Sequence, residues 1–318
     1  MTGPATLWVL YSDHAARNID AVSVVEVRGL GGSHLEVDTH EVGEGTVTAG
    51  SLAIVGTNIV AAWVQPDHHI GVYVHPMNGG ADRRIALDAP QAPVAVSVAP
   101  AGHGALVAWD DNARGIRYAR LNANGALDGT VTAVAGRYGS PVVTSAFDGL
   151  VVLQSPAGRA AHVSLLAPGA RRPISARGAS RFGGAASTST ASSHTRGYVA
   201  FSSHGTAHLT TLDAATGAGR DHVLGPSGRT GETGVGATPW GTLAAWTHDG
   251  AIQVVPVDGE GVPASAPFEV TDPAAPESAR APAVAATPDM VSVVWWGVPA
   301  HRTAGHTGAI RFVRLDCH

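Results

Sequence analysis

Residues 93–125 read PVAVSVAPAGHGALVAWDDNARGIRYARLNANG. Pro93–Val98 and Ala105–Trp109 are apolar runs that alternate or nearly so, parted by a Gly-bearing turn. A third run, Gly115–Leu121, follows a polar turn and closes on Asn122–Gly125. Short β-branched runs bounded by Gly, Asn and Asp read as strands joined by hairpins. One such unit cannot bury its own apolar face, so a fold built on it needs copies.

The copies are present. The second strand of the unit ends VAAW at Trp63, LVAW at Trp109, LVVL at Leu153, YVAF at Phe201, LAAW at Trp246 and VVWW at Trp295, at spacings of 46, 44, 48, 45 and 49 residues. A seventh copy, LWVL, ends at Leu10, 53 residues before Trp63. Four strands with their turns occupy about 40–50 residues in a propeller blade. The chain therefore resembles a β-propeller along essentially its whole length. The expected fold is all-β, a seven-bladed β-propeller of four-stranded antiparallel blades in one domain, 1–318.

The blades are expected near 6–44, 49–88, 91–134, 138–177, 182–225, 231–271 and 281–318. The first starts at what aligns with strand two (Thr6–Tyr11), and the last stops after strand three (Ile310–Leu315), so both are incomplete. Forty Gly and 20 Pro supply the turns, and a charged fraction of 14% suits sheets buried on both faces. All 20 basic residues are Arg, and the net charge is −5 with no basic run, which argues against nucleic acid as a partner. Cys317 stands alone, so no internal disulfide forms. No run approaches a membrane span, and the N-terminus lacks a charged leader region. The expectation is a soluble cytoplasmic monomer, or a secreted protein if a leader has been removed.

In an up-and-down blade, the loop after strand two and the loop leading into strand one of the next blade share a face. Functional residues are expected there. The turns after strand two carry His14, then His68 and His69, then His204, His248 and His301. Imidazoles converging from separate loops could ligate a divalent metal (Zn, Cu, Fe or Mn), with His14, His204 and His248 also able to move protons as catalytic groups. The competing reading is that these are solvated turn residues, since no HxH or HExxH spacing fixes two ligands on one element. No glycine loop for a nucleotide cofactor is present.

The loops leading into strand one form a second series: GRYG at Arg137, SRFG at Arg181, GRTGE at Arg229 and SARAP at Arg280. Guanidinium groups in the same register of four consecutive blades would make an anion-selective mouth. The alternative is that each Arg braces neighbouring blades. Tyr138 and Phe182 follow the Arg in two copies and could wall the site, and Asp111 could complete it from the third blade. Glu232 and Glu277 are the carboxylates nearest to the series and are candidate ion-pair partners for it.

Two turn-and-strand stretches, APAGHGALVAW at 99–109 and ATPWGTLAAW at 237–246, resemble the repeat of streptogramin lyase-type propellers. That resemblance implies a metal and a His on the propeller face serving an elimination. It covers turn and strand residues only, and no site residue is carried over from it. The loops diverge from blade to blade while the strand anchors persist, which favours one asymmetric site over a multivalent one. The expected function is that of an enzyme acting on a small anionic or polar molecule by metal-assisted elimination, cyclisation or isomerisation. The alternative is a binding module, either a lectin or a protein-interaction scaffold.

Overall fold

Short β-branched runs between Gly, Asn and Asp turns build strands, and among the described residues strand is the only regular structure. The computed structural model describes residues 5–14, 20–30, 34–90, 93, 95–110, 115–134, 139–144, 150–154, 160–161, 164–166, 174–175, 182–183, 188–192, 196–213, 216, 218–228, 231–238, 241–271, 277–286, 290–299 and 309–316. The chain divides into two compact units: Met1–Leu153 with Leu166–Pro173, and Gln154–Leu165 with Ile174–His318.

The first unit opens with β1 (Ala5–His14), β2 (Asp20–Leu30) and β3 (Glu36–Glu44), which form a three-stranded sheet. Next come β4 (Thr46–Val55), β5 (Asn58–Val64), β6 (His69–Pro76) and β7 (Arg83–Asp88), paired in chain order. A like sheet follows from β8 (Val96–Ala101), β9 (Gly104–Asp110), β10 (Ile116–Leu121) and β11 (Leu127–Ala133). Where the chain passes between the units lie β12 (Gly139–Thr144), β13 (Leu150–Gln154), β14 (Ala160–Ala161), β15 (Ser164–Leu166) and β16 (Ile174–Ser175). β12 lies next to β13 in one sheet, β15 pairs with β16 antiparallel, and β14 pairs with β17 (Phe182–Gly183).

The second unit carries β18 (Thr188–Ser192), β19 (Arg196–Ser203), β20 (Thr206–Asp213) and β21 (Gly219–Pro226) in one sheet. Then come β22 (Thr233–Thr238), β23 (Gly241–His248), β24 (Ala251–Val257) and β25 (Phe268–Glu269) in the next. A three-stranded sheet of β26 (Glu277–Ala286), β27 (Met290–Pro299) and β28 (Ala309–Asp316) is the last. The two three-stranded sheets are thus the first and the last, as the sequence predicts.

Burial explains which strands advertise themselves in the sequence. The second strands are enclosed along their length: every residue of β9 is buried, and only Asn58 of β5 is not. A strand covered on both faces reads as a continuous apolar run, not as an alternation. The last strands are the reverse, with β11 exposed over Leu127–Thr130 and β7 burying only Leu87.

The recurrent tryptophans have a polar as well as an apolar task. Trp63 donates its indole N–H to the Glu44 carbonyl at 3.0 Å, and Trp246 donates to the Pro226 carbonyl at 2.8 Å. In each case the acceptor ends the last strand of the preceding sheet. Trp109 fills the equivalent place with its indole nitrogen buried and without a partner in the described residues.

Serines on the first strands make a second repeated link. In the first unit the Val98 amide donates to Ser51 Oγ at 3.0 Å, and the Val143 amide donates to Ser97 Oγ at 2.9 Å. Each bond joins strand one of one sheet to strand one of the next. Replacing Ser97 with Ala removes the hydroxyl that accepts from the buried Val143 N–H. We expect a loss of about 1–2 kcal/mol, read as a lower urea midpoint at unchanged slope.

Candidate functional site

In the second unit the end of β23 with the turn after it, the segment leading into β22 and the start of β26 meet around an open recess of about 250 Å³. Its walls are Gly228, Thr247, Asp249, Gly250, Ser278, Ala279 and Arg280. Backbone bonds lock the walls together. The Gly228 amide donates to the Thr247 carbonyl at 2.8 Å, the Thr247 amide to the Glu232 carbonyl at 3.0 Å, and the Ala279 amide to the Gly250 carbonyl at 2.6 Å.

Arg280 owes its placement to a β-bulge. The pairing of β26 with β27 slips between Arg280 and Ala283, so Ala281 and Pro282 occupy one register step. Ala281 takes a positive φ of 49°, a conformation costly for a residue with a Cβ. Pro282 needs no amide partner, which suits it to a bulge. The strain at Ala281 is offset by its amide, which donates to Glu232 Oε2 at 2.6 Å. The Glu232 carboxylate thus braces the backbone, and among the described residues it makes no ion pair with Arg280. Arg280 is exposed, and neither its guanidinium nor the Ser278 hydroxyl has a polar partner among the described residues. A bulge that re-aims one side chain beside a recess is a recurring feature of binding sites.

Of the loop histidines, His69, His204 and His248 have polar neighbours of their own. His68 and His204 sit at positive φ, 65° and 50°, which identifies them as left-handed turn residues. His69 lies between two carboxylates, Nδ1 being 3.2 Å from Asp67 and Nε2 3.3 Å from Asp88. Desolvation raises the Asp67 pKa, but the hydrogen bonds and charge of His69 together outweigh it and hold the carboxyl below the usual range. His204 Nδ1 lies 3.0 Å from Ser203 Oγ. His248 ends β23, its Nε2 3.6 Å from Asp249 Oδ2. His14 ends β1, and Phe182 pairs with Ala161 in the short β14–β17 ladder. His301, Asp111, Arg137, Tyr138, Arg181 and Arg229 lie outside the described residues. Of the predicted site residues described in the second unit, Arg280 lines the recess, and His248 is the sequence neighbour of two lining residues, Thr247 and Asp249.

A polar cluster that the sequence reading passed over lies in the first unit, where the sheet β1-β2-β3 packs on the sheet β4-β5-β6-β7. Tyr73 donates its hydroxyl to Asp82 Oδ2 at 2.7 Å, and His75 Nδ1 meets Asp82 Oδ1 at 2.8 Å. The ring of His40 lies 5.0 Å from that of His75, and Trp8 flanks both at 6.3 and 5.1 Å. Burial raises the Asp82 pKa, but the bonds from Tyr73 and His75 lower it further, to below the ordinary carboxylate range. Burial, then the bond to Asp82, raises the Tyr73 pKa, so the phenol keeps its proton. Among the described residues, the groups of three donors close enough for one cation are His40, His75 and Asp82, and Glu26, Asp38 and His40.

No known protein-family profile matches the chain, and no curated protein matches it. Solved structures do match in shape. The β-propeller domain of the Trilobed protease from Pyrococcus furiosus superposes with a TM-score of 0.53 at 9% identity, covering 99% of this chain and 96% of that one. The fold is a β-propeller. A protein of unknown function from Dyadobacter fermentans gives 0.56 at 11% identity, over 85% of this chain and 94% of that one. The SapL1 lectin, solved with α-methyl fucoside, gives 0.52 at 12% identity, over 81% and 95%. Identities this low speak to the propeller fold alone. Among the described residues no helix is long and apolar enough to cross a membrane.

Proposed function

We propose that the recess between the last two sheets of this propeller binds a small, polar, anionic molecule. The observation that carries the reading is Arg280, placed beside a bulge at the recess, with no carboxylate paired to it among the described residues. A guanidinium in that state offers a planar pair of donors to a carboxylate or phosphate. Asp249, exposed on the same rim, and Ser278 favour a ligand that also carries hydroxyl groups. The chemistry is that of a hydroxylated acid or a sugar phosphate. The propellers that this chain resembles include the propeller domain of a protease and a sugar-binding lectin, so the fold is found both in a protease and in a recognition protein.

Among the described residues the recess is lined by Arg280, Ser278 and Asp249 but by no histidine, and this supports recognition as the first reading. A catalytic reading keeps His248, one third exposed at the rim, as the proton carrier. Turnover of a bound acid that is lost in His248→Gln while binding persists would establish it.

Calorimetric titration with gluconate, glucose 6-phosphate and the neutral α-methyl fucoside tests the binding proposal. The acids are expected to bind, and Arg280→Ala to weaken them about tenfold or more, as loss of a charge-assisted pair does. Indifference of acid binding to Arg280→Ala, or binding of the neutral glycoside alone, would overturn it.

A further inference from the structure

We infer that His40, His75 and Asp82 form a binding site for a divalent transition metal, Zn²⁺ above all, at the junction of the first two sheets. The three residues come from β3, from β6 and from the connection between β6 and β7. One ligating atom of each lies within 4.8 Å of the other two. Two imidazoles and one carboxylate are the donor types that zinc takes, at about 2.0–2.2 Å, and three protein ligands leave one position open.

The geometry goes beyond proximity. His75 Nδ1 and Asp82 Oδ1 are already 2.8 Å apart. Neighbouring donors on a tetrahedral zinc stand only a little further apart, about 3.4 Å. His40 Nε2 is buried and has no hydrogen-bond partner, so the third ligand has a lone pair unclaimed by the protein. Asp38 approaches it at 3.7 Å, beyond hydrogen-bonding range. The hydroxyl of Tyr73 holds Asp82 Oδ2 at 2.7 Å, which fixes the carboxylate and leaves Oδ1 for the ion. A hydrogen-bonded carboxylate of this kind is what orients metal ligands elsewhere. His40 and His75 are 23% and 19% exposed and Asp82 is 41% exposed, a site shielded from water yet reachable from it.

The alternative group of Glu26, Asp38 and His40 is the weaker cage, because Arg28 is ion-paired with the Glu26 carboxylate. Metal entry takes the place of the His75–Asp82 hydrogen bond, and because a ligand must be unprotonated to coordinate, protons compete with the metal for the site. This inference is independent of the anion-binding recess, which lies in the other unit.

The test is equilibrium dialysis of Zn²⁺ against the full chain, purified without a histidine tag and stripped with chelator. One equivalent is expected to bind. His40→Asn and His75→Asn are each expected to weaken it 100-fold or more and Tyr73→Phe about tenfold, while His204→Asn and His248→Asn leave it unchanged. Absence of stoichiometric uptake overturns the site, as does uptake that survives His75→Asn or that is lost in His248→Asn. Co²⁺ loaded into the wild-type chain gives a reading that needs no variant to fold. Intense visible absorption of a four-coordinate ion with nitrogen ligands is expected, and the weak spectrum of hydrated Co²⁺ would count against the cage.

Discussion

Trp63→Ala is expected to lower the stability of the chain by about 3–5 kcal/mol, within the range for truncating a large aromatic in a packed core. Trp63 is 1% exposed and packs among Val22, Val24, Ile59 and Tyr73. Its removal leaves a cavity between the first two sheets, because neither backbone can collapse into it without breaking its own ladder. The Glu44 carbonyl also loses the indole donor. Trp63→Phe separates the two effects: it keeps most of the volume and loses the bond, for about 1–2 kcal/mol. Equilibrium denaturation of the three proteins decides the matter, and equal losses in the Ala and Phe variants would mean that the hydrogen bond, not the packing, dominates.

Gly71→Ala is the second large effect, about 2–3 kcal/mol, and it arises from crowding. Gly71 sits opposite Trp63 in the β5–β6 ladder. A Cβ there would lie 2.5 Å from two carbons of the indole, well inside contact distance. The ring is itself held by its hydrogen bond and by Gly43, where a Cβ would come within 2.8 Å of it, so it cannot step aside. Inserting a methyl into a full core forces strain of this size. A double-mutant cycle with Trp63→Leu provides the control, since neighbours that share a cavity do not add. With the indole absent, the Gly71→Ala penalty is expected to fall below about 0.5 kcal/mol. A penalty unchanged in that background would assign the cost to the strand backbone and not to the ring.

The fold was legible in the sequence because the most buried strands are also the most regular. Strands such as β5, β9 and β23 are covered on both sides, so their composition is tightly constrained and VAAW, LVAW and LAAW recur. Outer strands such as β11 and β25 meet solvent and tolerate almost any polar residue, which blurs their limits. Arg280 could be singled out because its register repeats from blade to blade. That Glu232 would bond the Ala281 amide could not, because the bulge displacing that amide is a product of tertiary pairing. His40, His75 and Asp82 carried a still fainter signal. They belong to two sheets, and only the packing of one sheet on the other brings them together. A trace was present in the alternation, since His75 follows Tyr73 by two positions and so faces the same way.

The serine links between first strands bear on how such a chain can lengthen. Ser51 reaches Val98 across 47 residues, and Ser97 reaches Val143 across 46. Donor and acceptor both sit on inner strands, so the loops between them can drift in length without disturbing the bond. A tandem duplication of one whole period would carry its own serine and its own donating amide, and would join its neighbours in frame.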